Sequence, residues 1–335
     1  MSTKLNILPS SNKGEISLNK SGVELNELNF KAQGGTELMQ SWLYERLPDD
    51  LKDAFQIICS RVRHLEENKP RLLWLHDLPE DPEAEFLRDE KNRKLFEKLI
   101  FVSNWQMYGY NRVIGVPYSD SVVIKNAIEP IEDHVKPKGG VKIIYHTTPH
   151  RGLNILFAAF QHLAEIHDDI ELDVYSSFKL YGWEERDQPY LPLFEQLKAH
   201  PKVRYHGAVD NATVRKALKE SHIFGYPSIW QETSCIAAIE ALNAKNLVVC
   251  PNLGALPETT ANFAFNYQYS EDIHQHVNTF THALNAAINT IKADSDNLHA
   301  QLNFQKQYYD VFYGWEGRIQ EWKSLMHSIL NTKSA

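Results

Sequence analysis

Residues 223–258 read IFGYPSIWQETSCIAAIEALNAKNLVVCPNLGALPE, and this stretch decides the fold. An apolar run of strand length ends at Tyr226-Pro227, and after a short loop a helix is predicted to begin near Thr233-Ser234. A second apolar run covers residues 247–250 and ends in a turn at 251–254. The stretch therefore predicts a strand–loop–helix–strand unit.

The start of this predicted helix is suited to an anion. Glu232 stands just before it, and Glu240 lies inside it. The first turn of a helix has unpaired N–H groups and a partial positive charge. The backbone of Ser234, Cys235 and Ile236 could therefore accept a phosphate.

The spacing of the two glutamates fits a larger ligand. Eight residues correspond to about 12 Å along a helix axis and roughly 80° around it, and helical side chains lean towards the N-terminus. A ligand with its diphosphate at the helix start could place a sugar-ring hydroxyl against Glu240. The same pattern also fits a surface helix whose first glutamate, Glu232, only complements the helix dipole. Geometry alone leaves both interpretations open.

The composition is that of an ordinary globular protein, long enough for two domains. The chain has 335 residues, of which 43% are hydrophobic and 23% are charged. Its net charge of −8 argues against a nucleic-acid partner bound through bulk electrostatics. Three cysteines show no paired spacing, and neither a signal peptide nor a membrane-spanning run is recognisable. We expect a cytoplasmic protein, and peripheral contact with a membrane is compatible with this composition.

The rest of the chain alternates apolar runs with helical patterns, which predicts an α/β fold with open, mostly parallel sheets. Residues 9–33 are polar and unassigned, so they form either a functional loop or an unrecognised hairpin. The further predicted strands are 4–8, 54–59, 71–75, 99–102, 122–124, 141–145, 170–175 and 202–205. The further predicted helices open at Gly34-Gly35 and cover 83–97, 152–166, 211–221, 272–306 and 308–331, the last with a bend near Tyr313-Gly314.

Residues 129–140, EPIEDHVKPKGG, are the predicted linker between two domains. The predicted division is a first domain at 1–135, a second at 136–307 and a C-terminal helix at 308–335. Two such domains bind a ligand in the cleft between them, where the carboxyl ends of the strands meet. Four candidate residues fall at predicted strand ends: His76, Arg151, Val209 and Glu232.

The glutamate pair and the turn at 251–258 together resemble the signature of family-4 retaining glycosyltransferases with the GT-B fold. The combination of the helix and the turn is fairly specific, whereas each further piece is weak by itself. The further pieces are 34–37 (GGTE), 102–104 (VSN), 124–128 (IKNAI), 149–153 (PHRGL), 206–209 (HGAV) and 313–316 (YGWE).

The resemblance implies two Rossmann-like domains that face each other across a cleft, with the C-terminal helix crossing back to the first domain. It implies a nucleotide-diphosphate sugar donor, UDP- or GDP-linked, that is bound mainly by the second domain. The sugar would pass with retention to a hydroxyl of a glycan, glycolipid or glycoprotein on the first-domain side. The resemblance implies no cofactor besides this co-substrate.

The resemblance also implies roles for residues of the second domain. Glu240 would hold the ribose hydroxyls, and the N–H groups of Cys235 and Ile236 would hold the distal phosphate. Glu232 would contact hydroxyls of the donor sugar. Arg151 stands where the family usually has a lysine on the diphosphate, and a guanidinium suits bidentate phosphate binding.

Three further roles follow from the resemblance. The backbone of Val209 would meet the base, Gly35 would let the first domain close on the phosphates, and His76 would lie near the reacting sugar. One departure is His146, at a position where family members often have a second basic residue. Charge compensation would then rest on Arg151 and the helix start, with help from His146 or His150 as one option.

Three sequence features bear on mechanism and on the alternatives. No Asp-x-Asp cluster stands at a predicted strand end, which predicts metal-independent transfer. The favoured interpretation of Trp105, Trp183 and Trp230 is packing in the core or cleft rather than acceptor binding. The alternatives are a nucleotide-sugar epimerase or phosphorylase of the same fold and a non-catalytic partner subunit. A phosphorylase would need a lysine placed for pyridoxal phosphate, and no such lysine is recognisable. A non-catalytic partner subunit could lose Glu232, Glu240 or Arg151, but all three are present.

Overall fold

The computed structural model describes residues 35–334, which form two parallel β-sheets with helices around them. The predicted fold class, two Rossmann-like α/β domains, is confirmed. The predicted strand at 4–8 and the unassigned residues 9–33 lie outside the described range. The predicted linker at 129–140 contains neither helix nor strand. The domain boundaries at 135 and 307 stay predictions.

The first domain has a four-stranded sheet in which the strands pair in chain order. Each strand is a short apolar run whose central residues are buried or half-buried. The strands are β1 (Gln56–Cys59), β2 (Arg71–Leu75), β3 (Lys98–Phe101) and β4 (Ser121–Val123). The helices are α1 (Gly35–Arg46), α2 (Asp49–Ala54), α3 (Glu90–Arg93) and α4 (Asn104–Ile114), with 3₁₀ helices at Pro82–Arg88 and Tyr118–Asp120.

The second domain has a six-stranded parallel sheet. Its strands are β5 (Val141–Tyr145), β6 (Ile170–Val174), β7 (Val203–Tyr205), β8 (Ile223–Gly225), β9 (Leu247–Pro251) and β10 (Phe265–Tyr267). They pair in the order β10-β9-β8-β5-β6-β7. Read from β7, the strands have the order 3-2-1-4-5-6 of a Rossmann fold. The direction in which successive strands are added to the sheet reverses between β5 and β8. The crevice at that reversal is where such sheets bind ligands.

Seven α-helices and three 3₁₀ helices surround this second sheet. The apolar face of α5 is buried, and all of β9 is buried because helices cover both faces of the sheet. The α-helices are α5 (Leu153–Ile166), α6 (Leu191–Ala199), α7 (Asn211–Glu220), α8 (Ile236–Asn243), α9 (Leu256–Thr260), α10 (Ile273–Ala293) and α11 (Asp296–Phe312). The 3₁₀ helices are Pro149–Arg151, Phe178–Tyr181 and Glu184–Tyr190.

The last helix, α12 (Trp315–Ser334), returns to the first domain as predicted. Its Trp322 and Met326 are fully buried in the same apolar cluster as Trp74 of β2. The rings of Trp74 and Trp322 meet edge to face with centroids 5.0 Å apart. The predicted bend near Tyr313-Gly314 separates α11 from α12.

Two predicted helices are each interrupted in the structure. Residues 83–97 form a 3₁₀ helix followed by the four-residue α3, because Asp89 is extended and caps the second piece through the N–H of Lys91. Residues 272–306 are divided at Asp294, whose φ of 41° ends α10 before Ser295 caps α11. The short elements α2, α9 and β10 escaped prediction because their hydrophobic patterns are only a few residues long.

The helix that carries Glu240 begins later than predicted. It starts at Ile236 rather than near Thr233-Ser234. Cys235, with φ 80° and ψ 78°, lies in the left-handed region and cannot continue a right-handed helix. Glu232 therefore stands on a loop and not on the helix itself, so the helical spacing assumed between the two glutamates is wrong.

The turn after β9 supports this loop. Gly254 has φ 61°, and a Cβ at that position would lie 2.7 Å from both the backbone N and O of Glu232. The N–H of Ala255 donates to the Glu232 carbonyl at 2.8 Å, and the Thr259 hydroxyl donates to the Ser234 carbonyl. The downstream turn therefore fixes the backbone on which Glu232 stands.

A carboxylate of the second domain joins the two domains. Glu258 accepts hydrogen bonds from the backbone N–H groups of Asn104 and Trp105, each at 3.0 Å, and from the Asn104 side chain at 2.9 Å. It also pairs with Lys125. The two N–H groups belong to the first turn of α4, where negative charge is favoured.

We expect Cys235→Gly to lower the free energy of unfolding by at most about 1 kcal/mol, because relief of the positive φ offsets the loss of its buried side chain. The matched control is Cys250→Gly, at a fully buried position in β9. It should lower the unfolding free energy by about 1–3 kcal/mol, since it removes packed atoms and loosens a strand. Urea unfolding measures the unfolding free energy of both variants. Equal losses in the two would contradict backbone strain at Cys235.

We expect Glu258→Gln to lower the unfolding free energy by about 1–3 kcal/mol at pH 7, because an amide cannot serve all these donors. Burial opposes ionisation of Glu258, but hydrogen bonds from Lys125 and from the Trp105 and Asn104 amides outweigh it and lower its pKa. The ionised form therefore stabilises the fold above the unfolded pKa, and this contribution is lost as the pH falls through the lower folded pKa.

Unfolding curves from pH 7 to pH 3 should accordingly show the difference between wild type and Glu258→Gln shrinking at the acidic end. Glu316→Gln, at an exposed position on α12, is the control and should behave like wild type throughout. A difference that stays constant with pH would show that the charge of Glu258 does not hold the domains.

Candidate functional site

The site lies where the carboxyl ends of strands from both sheets meet. The Thr233 hydroxyl, on the loop before α8, donates to the His76 carbonyl at the end of β2 over 2.7 Å. Gly35, at the start of α1, faces the start of α8, and a Cβ there would lie 3.2 Å from Ile236 Cδ1. The structure therefore brings His76, Gly35 and the start of α8 together across the cleft.

Close backbone approach brings Arg151 to Glu232. Gly152 has φ 104°, and a Cβ there would lie 2.1 Å from the Pro227 carbonyl oxygen. Only glycine permits the loop after β5 to lie this close to the loop after β8. Arg151 and Glu232 therefore meet at the point where the strand order reverses.

Arg151 and Tyr226 bind the same oxygen of Glu232. Arg151 Nη1 and the Tyr226 hydroxyl both donate to Oε1, and Glu232 and Tyr226 are buried. Burial disfavours the charged form of Arg151, but the neighbouring carboxylate outweighs it and raises the pKa of Arg151 well above its ordinary value. The arginine therefore stays charged. The Tyr226 hydroxyl adds a hydrogen bond to this partly buried pair, whereas Arg151 Nε has no acceptor among the described residues.

Glu240 has its own partners at the other end of the site. Its carboxylate is almost fully buried and accepts from Arg215 Nη1 at 3.0 Å and from the Asn211 side-chain amide at 3.2 and 3.3 Å. Burial raises the pKa of Glu240, and the hydrogen bonds and charge of Arg215 with the amide of Asn211 oppose that shift. Val209 lies half-buried in the loop before α7, two residues from Asn211.

Buried polar atoms without a hydrogen bond inside the described chain gather at these strand ends. More than half of all such atoms in residues 35–334 follow directly after β2, β4, β5 or β6. Buried polar groups normally have partners, so a cluster without them indicates a polar ligand. The atoms are both ring nitrogens of His76, Asn126 Oδ1, His146 Nε2, Thr147 Oγ1, His150 Nδ1, Arg151 Nε and Ser176 Oγ.

The histidines of the site are neutral at physiological pH. Burial lowers the pKa of His76 to about 4 and the pKa of His146 to about 3. Burial, followed by the charges of Arg151 and Arg186, lowers the pKa of His150 to about 4. Burial therefore opposes positive charge on His146 and His150, and their help against a diphosphate stays a prediction.

Sequence reasoning identified the acidic and basic residues but missed the groups that hold them. In the sequence, Tyr226 indicates only the end of a predicted strand, and Asn211 only the start of a predicted helix. Arg215 stands one turn after Asn211 on the same face of α7, which is the signal that could have indicated a joint role. Thr233 gave no signal, because its contact with His76 crosses 157 positions of sequence.

Two further properties describe this part of the molecule. Among residues 35–334, no group of three His, Cys, Asp or Glu side chains is placed so that it could hold a metal ion. In the same range, no helix combines the length and the apolar content that crossing a membrane would require.

Comparison with solved structures shows a shared fold at low sequence identity. A variant of S. aureus TarM in complex with UDP gives a TM-score of 0.57 at 16% identity, over 87% of this chain and 58% of that chain. A glycosyltransferase from Rickettsia africae gives a TM-score of 0.65 at 15% identity, over 89% of this chain and 83% of that chain. HepE from Anabaena in complex with UDP-glucose gives a TM-score of 0.58 at 15% identity, over 79% of this chain and 72% of that chain. These neighbours have the GT-B fold, and the chain spans well under two thirds of TarM.

Comparison with family models gives a more specific result. No curated protein sequence matches the chain. The model named "Glycosyl transferases group 1" matches residues 129–304, which include Arg151, both glutamates and the whole strand reversal. The match covers just over half of the chain, and the chain therefore belongs to the group 1 glycosyltransferases.

Proposed function

We propose that this protein transfers a sugar, with retention and without a metal ion, from a nucleotide-diphosphate sugar to a hydroxyl of a glycan, glycolipid or glycoprotein. The observation that carries the proposal is the cluster of unpartnered buried polar atoms at the strand reversal. The loops that carry those atoms also carry the charged guanidinium of Arg151, and α8 begins nearby; a helix start and a guanidinium are both groups that bind a diphosphate.

The donor end of the site is α8. The first hydrogen bonds of this helix run from the N–H groups of Ala238 and Ile239 to the Cys235 carbonyl, so the N–H groups of Cys235 and Ile236 precede them and would hold the distal phosphate. Glu240 would accept the ribose hydroxyls with the lone pairs that Arg215 and Asn211 leave free. The backbone near Val209 would meet the base. UDP is the favoured nucleotide over GDP, since solved neighbours of the same fold contain UDP or UDP-glucose.

Arg151 would stabilise the leaving group. One of its donors binds Glu232, whereas its buried Nε has no acceptor within the described residues. That N–H can therefore serve a phosphate oxygen while the ion pair stays intact. As the glycosidic bond breaks, negative charge grows on the diphosphate, and fixed N–H dipoles with a buried guanidinium stabilise it without reorganisation.

Glu232 would orient the donor sugar rather than attack it. The hydrogen bonds from Arg151 and Tyr226 to the Glu232 side chain both go to Oε1, which leaves Oε2 for a sugar hydroxyl. The charge of Arg151 and the Tyr226 hydroxyl make this carboxylate a weaker nucleophile, so we propose front-face attack by the acceptor. His76, which burial keeps neutral at physiological pH, would hydrogen-bond the reacting sugar.

Incubation with UDP- and GDP-sugars and candidate glycans should release nucleoside diphosphate, and Arg151→Gln should slow that release about 100-fold or more. Arg204→Gln, half-exposed on β7, is the matched control and should retain wild-type turnover. Release from no donor would overturn the transferase proposal. Appearance of an epimerised sugar nucleotide without acceptor, followed by NMR, would favour the epimerase alternative instead.

Glu240→Ala should weaken UDP binding about 10- to 100-fold, because hydrogen bonds to a charged group contribute about 1.5–3 kcal/mol. Calorimetry measures this, with Glu220→Ala, at the exposed end of α7, as the control. Since the pKa of Glu240 is raised, its acceptor role should be lost as the pH falls through that pKa, and wild type and variant should converge in acid. Unchanged UDP affinity in a folded variant would reject the ribose role.

A further inference from the structure

Exposed aromatic side chains stand beside the ion pair of the site. Trp230 and Ile229, on the loop after β8, are each 45% exposed, and Trp183, after β6, is 42% exposed. The sequence favoured core or cleft packing for Trp183 and Trp230, and core packing is wrong for both. Trp230 stands two residues before Glu232, so its exposed surface borders the place where chemistry is proposed.

These aromatic residues form a row across three neighbouring strands. The His150 ring, after β5, meets Trp230 at 81° with centroids 5.5 Å apart and stacks on Phe178 at 5.2 Å. The N–H of Trp183 donates to the Phe178 carbonyl at 3.2 Å, which fixes Trp183 at the far end of the row. The row thus follows the sheet edge from β8 through β5 to β6.

The row is rigid and polar at its edges. Trp183 stacks on Tyr181 at 5.1 Å, and the Arg186 guanidinium lies 4.2 Å from its ring centroid. Ser228 holds the Trp230 backbone through two hydrogen bonds, of 2.9 and 3.1 Å. The surface therefore combines aromatic side chains with the polar groups of Arg186 and Ser228.

This chemistry fits a sugar ring better than a lipid chain. A pyranose presents C–H bonds on its faces, which pack on the electron-rich face of an aromatic ring, and hydroxyls at its rim. A lipid chain would need a continuous apolar surface, but here an imidazole and a guanidinium interrupt it. The donor is proposed inside the crevice, on α8, so the exposed row is open to a molecule that arrives from solvent.

We propose that Trp230, with Ile229, His150 and Trp183, forms a subsite of the second domain for a pyranose ring of a glycan acceptor. The proposal rests on the proposed function, and it extends acceptor binding beyond the first domain. The acceptor would then be an oligosaccharide, with one sugar at the reaction centre and a neighbouring sugar on the aromatic row. Trp230 is a binding residue here and takes no part in bond making.

Binding of the intact protein to an array of immobilised oligosaccharides, without donor, tests the subsite. Wild type should bind a subset of them, and Trp230→Ala should bind the same glycans about tenfold or more weakly. Trp230→Phe should retain part of the affinity, because it keeps an aromatic face. Phe304→Ala is the matched control, since Phe304 is 61% exposed on α11.

UDP calorimetry measures the donor site separately, and Trp230→Ala should leave the affinity for UDP unchanged. Failure to bind any glycan, or equal glycan binding by wild type and Trp230→Ala, would overturn the subsite while leaving the transferase proposal intact. Failure of wild type to bind UDP would overturn the proposed function instead. Ile229→Asp, on the same loop, gives an independent loss of glycan binding if Trp230→Ala does not fold.

Discussion

The buried ion pair between Arg151 and Glu232 is the interaction around which the site is built. Two charges withdrawn from water are favourable only when their geometry is good and their remaining hydrogen bonds are satisfied. The Tyr226 hydroxyl supplies one such bond, and the close contact of Gly152 with the Pro227 carbonyl holds the two loops together. Because both loops follow strands at the reversal of strand order, the pair stands where a Rossmann sheet binds its ligand.

The two domains meet this pair from opposite sides. Thr233 binds the His76 carbonyl close to Glu232, and Glu258 binds the start of α4 at a second place. Contacts of this kind link the loops of both domains next to the ion pair. Buried polar atoms on these loops would gain hydrogen bonds from a polar ligand.

The aromatic row extends the same site towards solvent. Its position follows from the sheet, because loops after β8, β5 and β6 lie side by side although they are far apart in sequence. The charged groups stand inside the crevice and the tryptophans outside it. This separation fits a reaction in which a charged donor is enclosed and a neutral glycan approaches from outside.

The alternation of strands and helices, the class of fold and the strand-end positions of His76, Arg151 and Glu232 could all be predicted from the amino-acid sequence. These features follow from hydrophobic periodicity and turn residues, which act over a few neighbours. The start of α8 was predicted wrongly, because the left-handed backbone of Cys235 is imposed by its surroundings and not by its residue type.

The partners of the candidate site residues could not be predicted, because they come from distant parts of the chain. Arg215 reaches Glu240 across 25 positions and Arg151 reaches Glu232 across 81. The exposure of Trp230 could not be predicted from the sequence either, because a tryptophan in a core and one beside a binding site have the same local pattern. Strand order and close packing bring such residues together, and no local pattern records either of them.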